Sequence, residues 1–254
     1  MANQVNCAPD FGNWVSNRLI YIFSILGVAL LALAILVWYP AIPAFLFLAV
    51  ALYFAYARYL FSPKGGNVQN KIWENAITNL QWNGEGKTLD IGCGNGALTI
   101  KLASKFPTAN ITGIDFWGER WEYSQNKCES NARAAGVGDR TVFHKASASK
   151  LPFEDGHFDA AVSNLCFHEV ADSKDKREVI REALRVVKKG GKFAFQDLFL
   201  LKPTYGDIDT LVATIKSWGV AEVEFVETKN APFIPAALKL PFMIGKIGII
   251  KGEK

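Results

Sequence analysis

The chain is poor in the residues that build metal centres and disulfide frameworks. It holds 4 cysteines and 3 histidines in 254 residues. Cys7, Cys93, Cys128 and Cys166 include no C-x-x-C pair, so no zinc site follows from their spacing and a disulfide-stapled scaffold is excluded. Such thiol usage suits a reducing compartment, and no metal-ligand set is expected. Charge of one sign is also scarce, with a formal net charge of +4 and both signs mixed along the chain. Nucleic-acid binding needs a clustered basic face, so nucleic acid is not expected as a partner. Internal repeats and low-complexity tracts are absent, and nothing fixes an oligomeric state. Apolar residues, by contrast, make up 50% of the chain, with 18 Phe and 7 Trp.

That excess is concentrated near the N-terminus. Leu19 to Tyr39 carries no charge and closes on Trp38-Tyr39, in the manner of an interfacial aromatic belt. After Pro40-Ala41-Ile42-Pro43 a second uncharged run extends to Ala57. A bilayer core takes about 20 apolar residues per helix, so residues 18–61 are expected to form two transmembrane helices with a reversal at Pro40 to Pro43. A cleaved signal peptide fits poorly, because a basic leader is missing and a second run follows. Arg18 precedes the pair, and Arg58, Lys64 and Lys71 follow it. The positive-inside rule then puts both flanks in the cytoplasm, as a multi-pass protein of the cell membrane with a cytoplasmic catalytic domain. Residues 1–17 read as a frayed tail whose Phe11 and Trp14 meet the membrane interface. Residues 62–67 read as a linker and 68–254 as a second domain, opening with a helix from Val68 to Leu80.

Within that domain one stretch stands out, Thr88-Leu89-Asp90-Ile91-Gly92-Cys93-Gly94-Asn95-Gly96-Ala97-Leu98-Thr99. It reads as a buried strand, a glycine turn and a helix N-terminus. Such a turn lets a ligand approach the backbone, and the helix dipole favours an anionic group there. Gly92, Gly94 and Ala97 also fit the G-x-G-x-x-A spacing of dinucleotide sites. Asp90 argues against a pyrophosphate, which it would repel, and favours the ammonium and sulfonium of S-adenosylmethionine. A second strand, Asn110 to Asp115, ends in an acid about 20 residues further on, where ribose hydroxyls are held.

Leu89 to Gly96 together with Asp115 resembles the first two motifs of class I S-adenosylmethionine-dependent methyltransferases. The resemblance continues through Leu151-Pro152-Phe153, Phe158-Asp159 and Leu184-Arg185-Val186-Val187-Lys188-Lys189-Gly190-Gly191. Alternating elements predict a doubly wound, Rossmann-like α/β sheet. Five strands are expected at Lys87 to Ile91, Asn110 to Asp115, Thr141 to Lys145, Ala160 to Asn164 and Lys192 to Gln196. Val220 to Thr228 and Ile247 to Lys251 complete a seven-stranded sheet as an antiparallel pair. Helices are expected at Leu98 to Phe106, Glu119 to Ala135 and Lys176 to Val187.

The resemblance implies that Gly92, Cys93, Gly94 and Gly96 lie against the methionine part of S-adenosylmethionine. It further implies that Asp90 orients the amino group, Asp115 holds the ribose and Phe116 flanks the adenine. Ser147 and Ala148 stand where many members carry an acid for the adenine amino group, a departure that removes a charge from that edge. Asn164 and Leu165 should face the cofactor. Cys166 to Glu169 should border the acceptor, with His168 as candidate base because an ordinary imidazole titrates near neutrality. Asp197, Tyr205 and Asp207 follow the fifth strand and are candidate acceptor contacts. His157 reads as exposed and His144 as packing. The implied activity is methyl transfer to a small, apolar acceptor such as a lipid, quinone, phenol or thiol. Two alternatives remain open, a membrane-anchored S-adenosylmethionine-binding regulator and a dinucleotide-dependent oxidoreductase. Between Thr228 and Ile247 an apolar, proline-broken, lysine-punctuated segment is expected to face the bilayer.

Overall fold

The computed structural model describes residues 8–118 and 123–254 and divides into two compact units, Gly12–Ile72 and a second comprising Met1–Phe11 with Trp73–Lys254. The first unit is dominated by two helices, α1 (Asn17–Ala34) and α2 (Ala41–Phe61). Ser16 caps α1 by accepting from Arg18 N. The reversal lies earlier than expected, at Ile35 to Pro40, and Pro43 sits inside the first turn of α2. A proline is tolerated there because first-turn amides lack intrahelical acceptors anyway. Gly27 allows close approach of the two helices, since a Cβ there would meet Leu48 at 2.7 Å. Phe23 stacks between Phe47 and Phe54 at 6.0 and 5.8 Å. Most other apolar side chains point outward, including Ile22, Ile25, Phe45 and Leu46.

Residues 12–16 are not frayed. Asn13 Nδ2 donates to Arg58 O at 3.0 Å, Trp14 N donates to Gln69 Oε1 at 3.3 Å, and the Arg58 guanidinium donates to Val15 O. Trp14 packs edge-on against Phe61 rather than standing free for an interface.

Helix α3 (Val68–Asn79) leads into the sheet unit. Its strands are β1 (Lys87–Ile91), β2 (Asn110–Asp115), β3 (Thr141–Lys145), β4 (Phe158–Asn164), β5 (Val187–Asp197), β6 (Glu222–Val226) and β7 (Gly248–Glu253). They are ordered β3-β2-β1-β4-β5-β7-β6, with β7 antiparallel to both neighbours. The remaining helices are α4 (Ala97–Lys105), α5 (Gln125–Ala134), α6 (Lys176–Arg185), α7 (Lys202–Tyr205) and α8 (Ile208–Ser217). The first positions of the helix expected from Glu119 lie outside the described residues, and α5 starts at Gln125, capped by Ser124.

Strands β1 and β2 are buried along most of their length because helices cover both faces of a parallel sheet. Leu89, Ile91, Ile111 and Ile114 are accordingly buried. Phe158, Phe167, Phe193, Phe195 and Phe199 fill the core around β4 and β5. Strand β5 begins five residues earlier than the expected Lys192. Lys188 to Gly191 reads as a turn, yet Lys254 N donates to Gly191 O at 3.0 Å and Gly190 N to Lys254 O at 2.6 Å. Pairing with the far end of the chain thus overrides a local turn signal. In segment 229–246, Ile234, Leu238 and Ile244 turn into the core while Leu240 and Phe242 stay exposed. Much of that segment therefore covers the sheet rather than facing outward.

Strand order reverses between β1 and β4. Such a switch point leaves a crevice outside the carboxyl ends of the strands, where ligands of doubly wound sheets bind.

Candidate active site

At the end of β1 the chain turns sharply through Gly92 and Gly94, with φ of 78° and 57°, into Gly96, the N-cap of α4. Gly92 N and Cys93 N both donate to Ile114 O, at 2.8 and 2.9 Å, which fixes the turn against β2. A Cβ on Gly92 would meet Cys166 Sγ at 2.4 Å, so the turn and the segment after β4 touch at a point only glycine allows.

Asp90 lies beneath this turn and is fully buried. Its Oδ2 accepts from Thr99 Oγ1 at 2.6 Å, while Oδ1 has no partner among the described residues. Burial pushes the carboxyl up to about 7, partly countered by the Thr99 hydrogen bonds. A buried acceptor without a donor is costly, and a ligand ammonium, directly or through water, would satisfy it. Asp115, at the end of β2, accepts from Gly94 N at 2.9 Å and from Trp117 N at 2.8 Å. Each carboxylate oxygen keeps a further lone pair, so paired ribose hydroxyls remain acceptable donors. Trp117 is held at φ 43° and donates its indole N–H to Gly94 O at 2.8 Å. The structure therefore brings Asp90, Gly92, Cys93, Gly94, Gly96 and Asp115 together.

Phe116 is 63% exposed, with Lys145 Nζ 5.4 Å from its ring centre. Ala148 is buried in the core, whereas Ser147 Oγ lies 2.9 Å from Ser149 Oγ, which donates to Asp172 Oδ2 at 2.7 Å. Sequence reasoning missed Asp172. It supplies a carboxylate one hydroxyl away from the edge that had lost its acid, and no spacing rule links positions 147 and 172.

After β4, Asn164 Oδ1 accepts from Gln196 Nε2 at 2.7 Å, and Leu165 takes φ 53°. His168 follows in a short 3-10 turn, Phe167–Glu169. It is not the free imidazole expected. Its Nδ1 lies 2.5 Å from Asp197 Oδ1, and its Nε2 lies 3.5 Å from Glu169 Oε1. Burial alone would lower its pKa, but the charges and hydrogen bonds of Asp197 and Glu169 push it up to about 10. Asp197 is buried and already saturated by Phe167 N, Leu198 N and His168. It positions His168 rather than meeting an acceptor itself, which corrects its expected role. Tyr205 is buried, its hydroxyl pushed well up by burial and by Asp197. Asp207 is the N-cap of α8, its Oδ1 accepting from Asp209 N at 3.1 Å.

A second feature missed in the sequence is the N-terminal arm. Asn131 on α5 is buried and makes a two-way clasp, accepting from Asp10 N at 3.0 Å and donating to Asp10 O at 2.8 Å. The same amide donates to Asn95 O in the glycine turn at 3.0 Å. Lys127 pairs with Asp10 at 2.9 Å, and Phe11 meets Trp73 edge-on. The arm is thus tied to α5, whose Asn131 also holds the glycine turn.

Comparison with known proteins agrees with this geometry. Residues 89–195 match the methyltransferase domain family. The chain is 35% identical to 27-O-demethylrifamycin SV methyltransferase of Amycolatopsis mediterranei, over 55% of this chain and 48% of that protein. It is 34% identical to the ubiquinone/menaquinone biosynthesis C-methyltransferase UbiE of a Geobacter species, over 46% of this chain and 47% of that one. The chain thus spans about half the length of these relatives. Among solved structures, the [4+2]-cyclase SpnF superposes with a TM-score of 0.52 at 20% identity, covering 72% of this chain and 79% of that one. The motif, the sheet order and the matched span agree: residues 89–195 are similar to the methyltransferase domain family, and the chain resembles the class I S-adenosylmethionine-dependent methyltransferases.

Proposed function

We propose that this chain is a membrane-anchored methyltransferase that moves the methyl group of S-adenosylmethionine to a small apolar acceptor. The observation that carries the cofactor reading is the glycine turn with the partnerless, buried Asp90 Oδ1 beneath it and Asp115 beside it. Asp90 meets the ammonium end, Asp115 takes the ribose hydroxyls, and Asn164 and Leu165 lie along the cofactor. When bound, the sulfonium supplies an already activated methyl, so the protein's task is alignment and exclusion of water. At pH 7 His168 bears a proton and donates. With Nδ1 on Asp197 and Nε2 facing Glu169, it acts as a fixed positive charge that favours a nearby ionised oxygen of a phenol or enol acceptor rather than as a base that removes its proton. A base role would instead make turnover climb with pH toward about 10.

Support for the anchor comes from α1 and α2, which are long and apolar enough to cross a membrane while only 6% and 28% of their apolar 18-residue stretches are buried. Core helices of soluble proteins are mostly buried. In this reading residues 18–61 form the hairpin, 62–67 the linker and 68–254 the catalytic domain, with the domain on the cytoplasmic face of the cell membrane. Quinone-directed and polyketide-directed relatives favour an apolar acceptor. Exposed Phe242 then suits a lipid-side approach.

The test uses the full chain with labelled S-adenosylmethionine and three acceptor sets: prenylated hydroquinones, phospholipids and small thiols. Turnover confined to the hydroquinones is expected. Binding of the cofactor with no transfer to any set would favour a regulator, and preference for NADH would return the oxidoreductase. Asp115→Ala should weaken cofactor binding by about 1.5–3 kcal/mol. Unchanged affinity would remove the ribose assignment.

A further inference from the structure

We propose that Asn164 presents its amide amino group to an oxygen of the bound ligands, and that Asn75 and Gln196 are the positioning residues that enforce this polarity. The proposal rests on the methyl-transfer reading and adds to it the hydrogen-bond sense of one subsite.

Gln196 is fully buried near the end of β5 and lies in register with Asn164 on β4. Its Nε2 donates to Asn164 Oδ1 at 2.7 Å, and its Oε1 accepts from Asn75 Nδ2 on α3 at 3.0 Å. A side-chain amide turned end for end keeps its shape, so the sense of such a chain must be fixed by a group that cannot turn. The main-chain carbonyl of Asn75 is that group. Asn79 Nδ2 donates to it at 2.9 Å, and a carbonyl oxygen only accepts. The same amino group reaches Asn75 Oδ1 at 3.3 Å. Asn75 therefore turns its oxygen toward Asn79 and its amino group toward Gln196, with Thr228 Oγ1 at 3.4 Å as a second acceptor. Gln196 must then accept from Asn75 and donate to Asn164. With its oxygen engaged, Asn164 has only Nδ2 left. Among the described residues nothing accepts from it, and the side chain is only half-buried.

The location is as informative as the sense. Leu165 N donates to Gln196 O at 2.8 Å, which holds Leu165 in a left-handed conformation that side chains with a Cβ rarely adopt. Cys166 then abuts Gly92. Asn164 thus stands at the carboxyl end of β4 beside the glycine turn, and a donor there selects an electron-rich oxygen. Two ligand atoms qualify, the carboxylate of S-adenosylmethionine and the oxygen of an ionised acceptor.

The experiment uses the full chain in detergent micelles. Calorimetric titration compares S-adenosylhomocysteine, which has the carboxylate, with 5′-methylthioadenosine, which lacks it. Asn164→Asp keeps the shape and replaces the donor by an acceptor. If the cofactor carboxylate is the partner, this variant loses at least tenfold in affinity for S-adenosylhomocysteine and none for methylthioadenosine. If the acceptor is the partner, both affinities hold and KM for a short-chain prenylated naphthohydroquinone rises at least tenfold with kcat nearly unchanged. Gln196→Glu cannot donate to Asn164 and should reproduce whichever pattern is seen. In an Asn164→Ala background it should add nothing. Should Gln196→Glu fail to fold, Asn75→Asp gives the same reversal from the outer end of the chain. Equal losses for both nucleosides, or indifference of Asn164→Asp in every assay, overturn the proposal. A wild-type chain that binds neither nucleoside refutes the methyl-transfer reading itself.

Discussion

The hairpin and the sheet unit draw on the same apolar alphabet and use it in opposite ways. Around β4 and β5, five phenylalanines are wholly enclosed, each with neighbours on every side. In α1 and α2, Ile22, Ile25, Phe45, Leu46 and Leu52 face outward, and the enclosed residues are small ones such as Gly27, Ala44 and Ala51, joined by Leu60 and Phe61 at the end of α2. One region is apolar inside and polar outside; the other carries its apolar surface outward. In the proposed anchored state the difference is one of medium. Burial in water is driven by removing apolar area, whereas helices in lipid associate through close packing of small residues and stacked rings.

Breaking the comparison should be easiest in the core. Phe195→Ala should destabilise the sheet unit by about 3–5 kcal/mol, whereas Phe45→Ala should leave its melting transition in detergent unmoved. A differential scan of both variants checks this. A charge should act in the reverse sense. Ile25→Arg should cost about 2.5–3.5 kcal/mol of membrane insertion, read as release from carbonate-washed vesicles. Val142→Arg, on the exposed side of β3, should shift stability by less than about 0.5 kcal/mol.

Asp90 sharpens the comparison from the polar side. Its folded pKa of about 7 lies above the ordinary carboxyl value of 3.8. The folded state thus holds the proton more tightly, and stability falls as pH rises from about 4 through 7. Asp90→Asn should remove that fall and raise the ligand-free stability at pH 8 by on the order of 2 kcal/mol, while weakening cofactor binding. Parallel melting curves at pH 5 and pH 8 check the sign. A more modest loss belongs to the arm. Asn131→Ala removes three hydrogen bonds to main-chain groups and should cost about 1–2 kcal/mol, with increased proteolysis at Asp10 as the readout.

The sheet was legible because its signals are local. Strands β1, β2 and β3 end where they were expected, at Ile91, Asp115 and Lys145, the first followed by Gly92 and the second closed by its own acid. The glycine turn and its two acids were legible for the same reason. What escaped was non-local. The early start of β5 depends on Lys254, and the clasp joins residues 121 positions apart. The state of His168 depends on Asp197, 29 positions away, so an ordinary imidazole was the wrong reference. Reversal at Ile35 rather than Pro40 reflects how little a uniformly apolar run says about where its helix stops.

The clasp of Asp10 on Asn131 also carries a rule of parity and of timing. Residues on either side of the two-helix excursion belong to one compact body, so the chain leaves it and comes back. Any barrier the excursion crosses must be crossed an even number of times, whatever the balance of lysine and arginine at its edges. Asp10 is also translated 121 residues before the asparagine that receives it. During that interval both apolar helices are complete and the sheet is not. In the proposed anchored state the hairpin can find its medium first, while the arm closes only once Asn131 has been made.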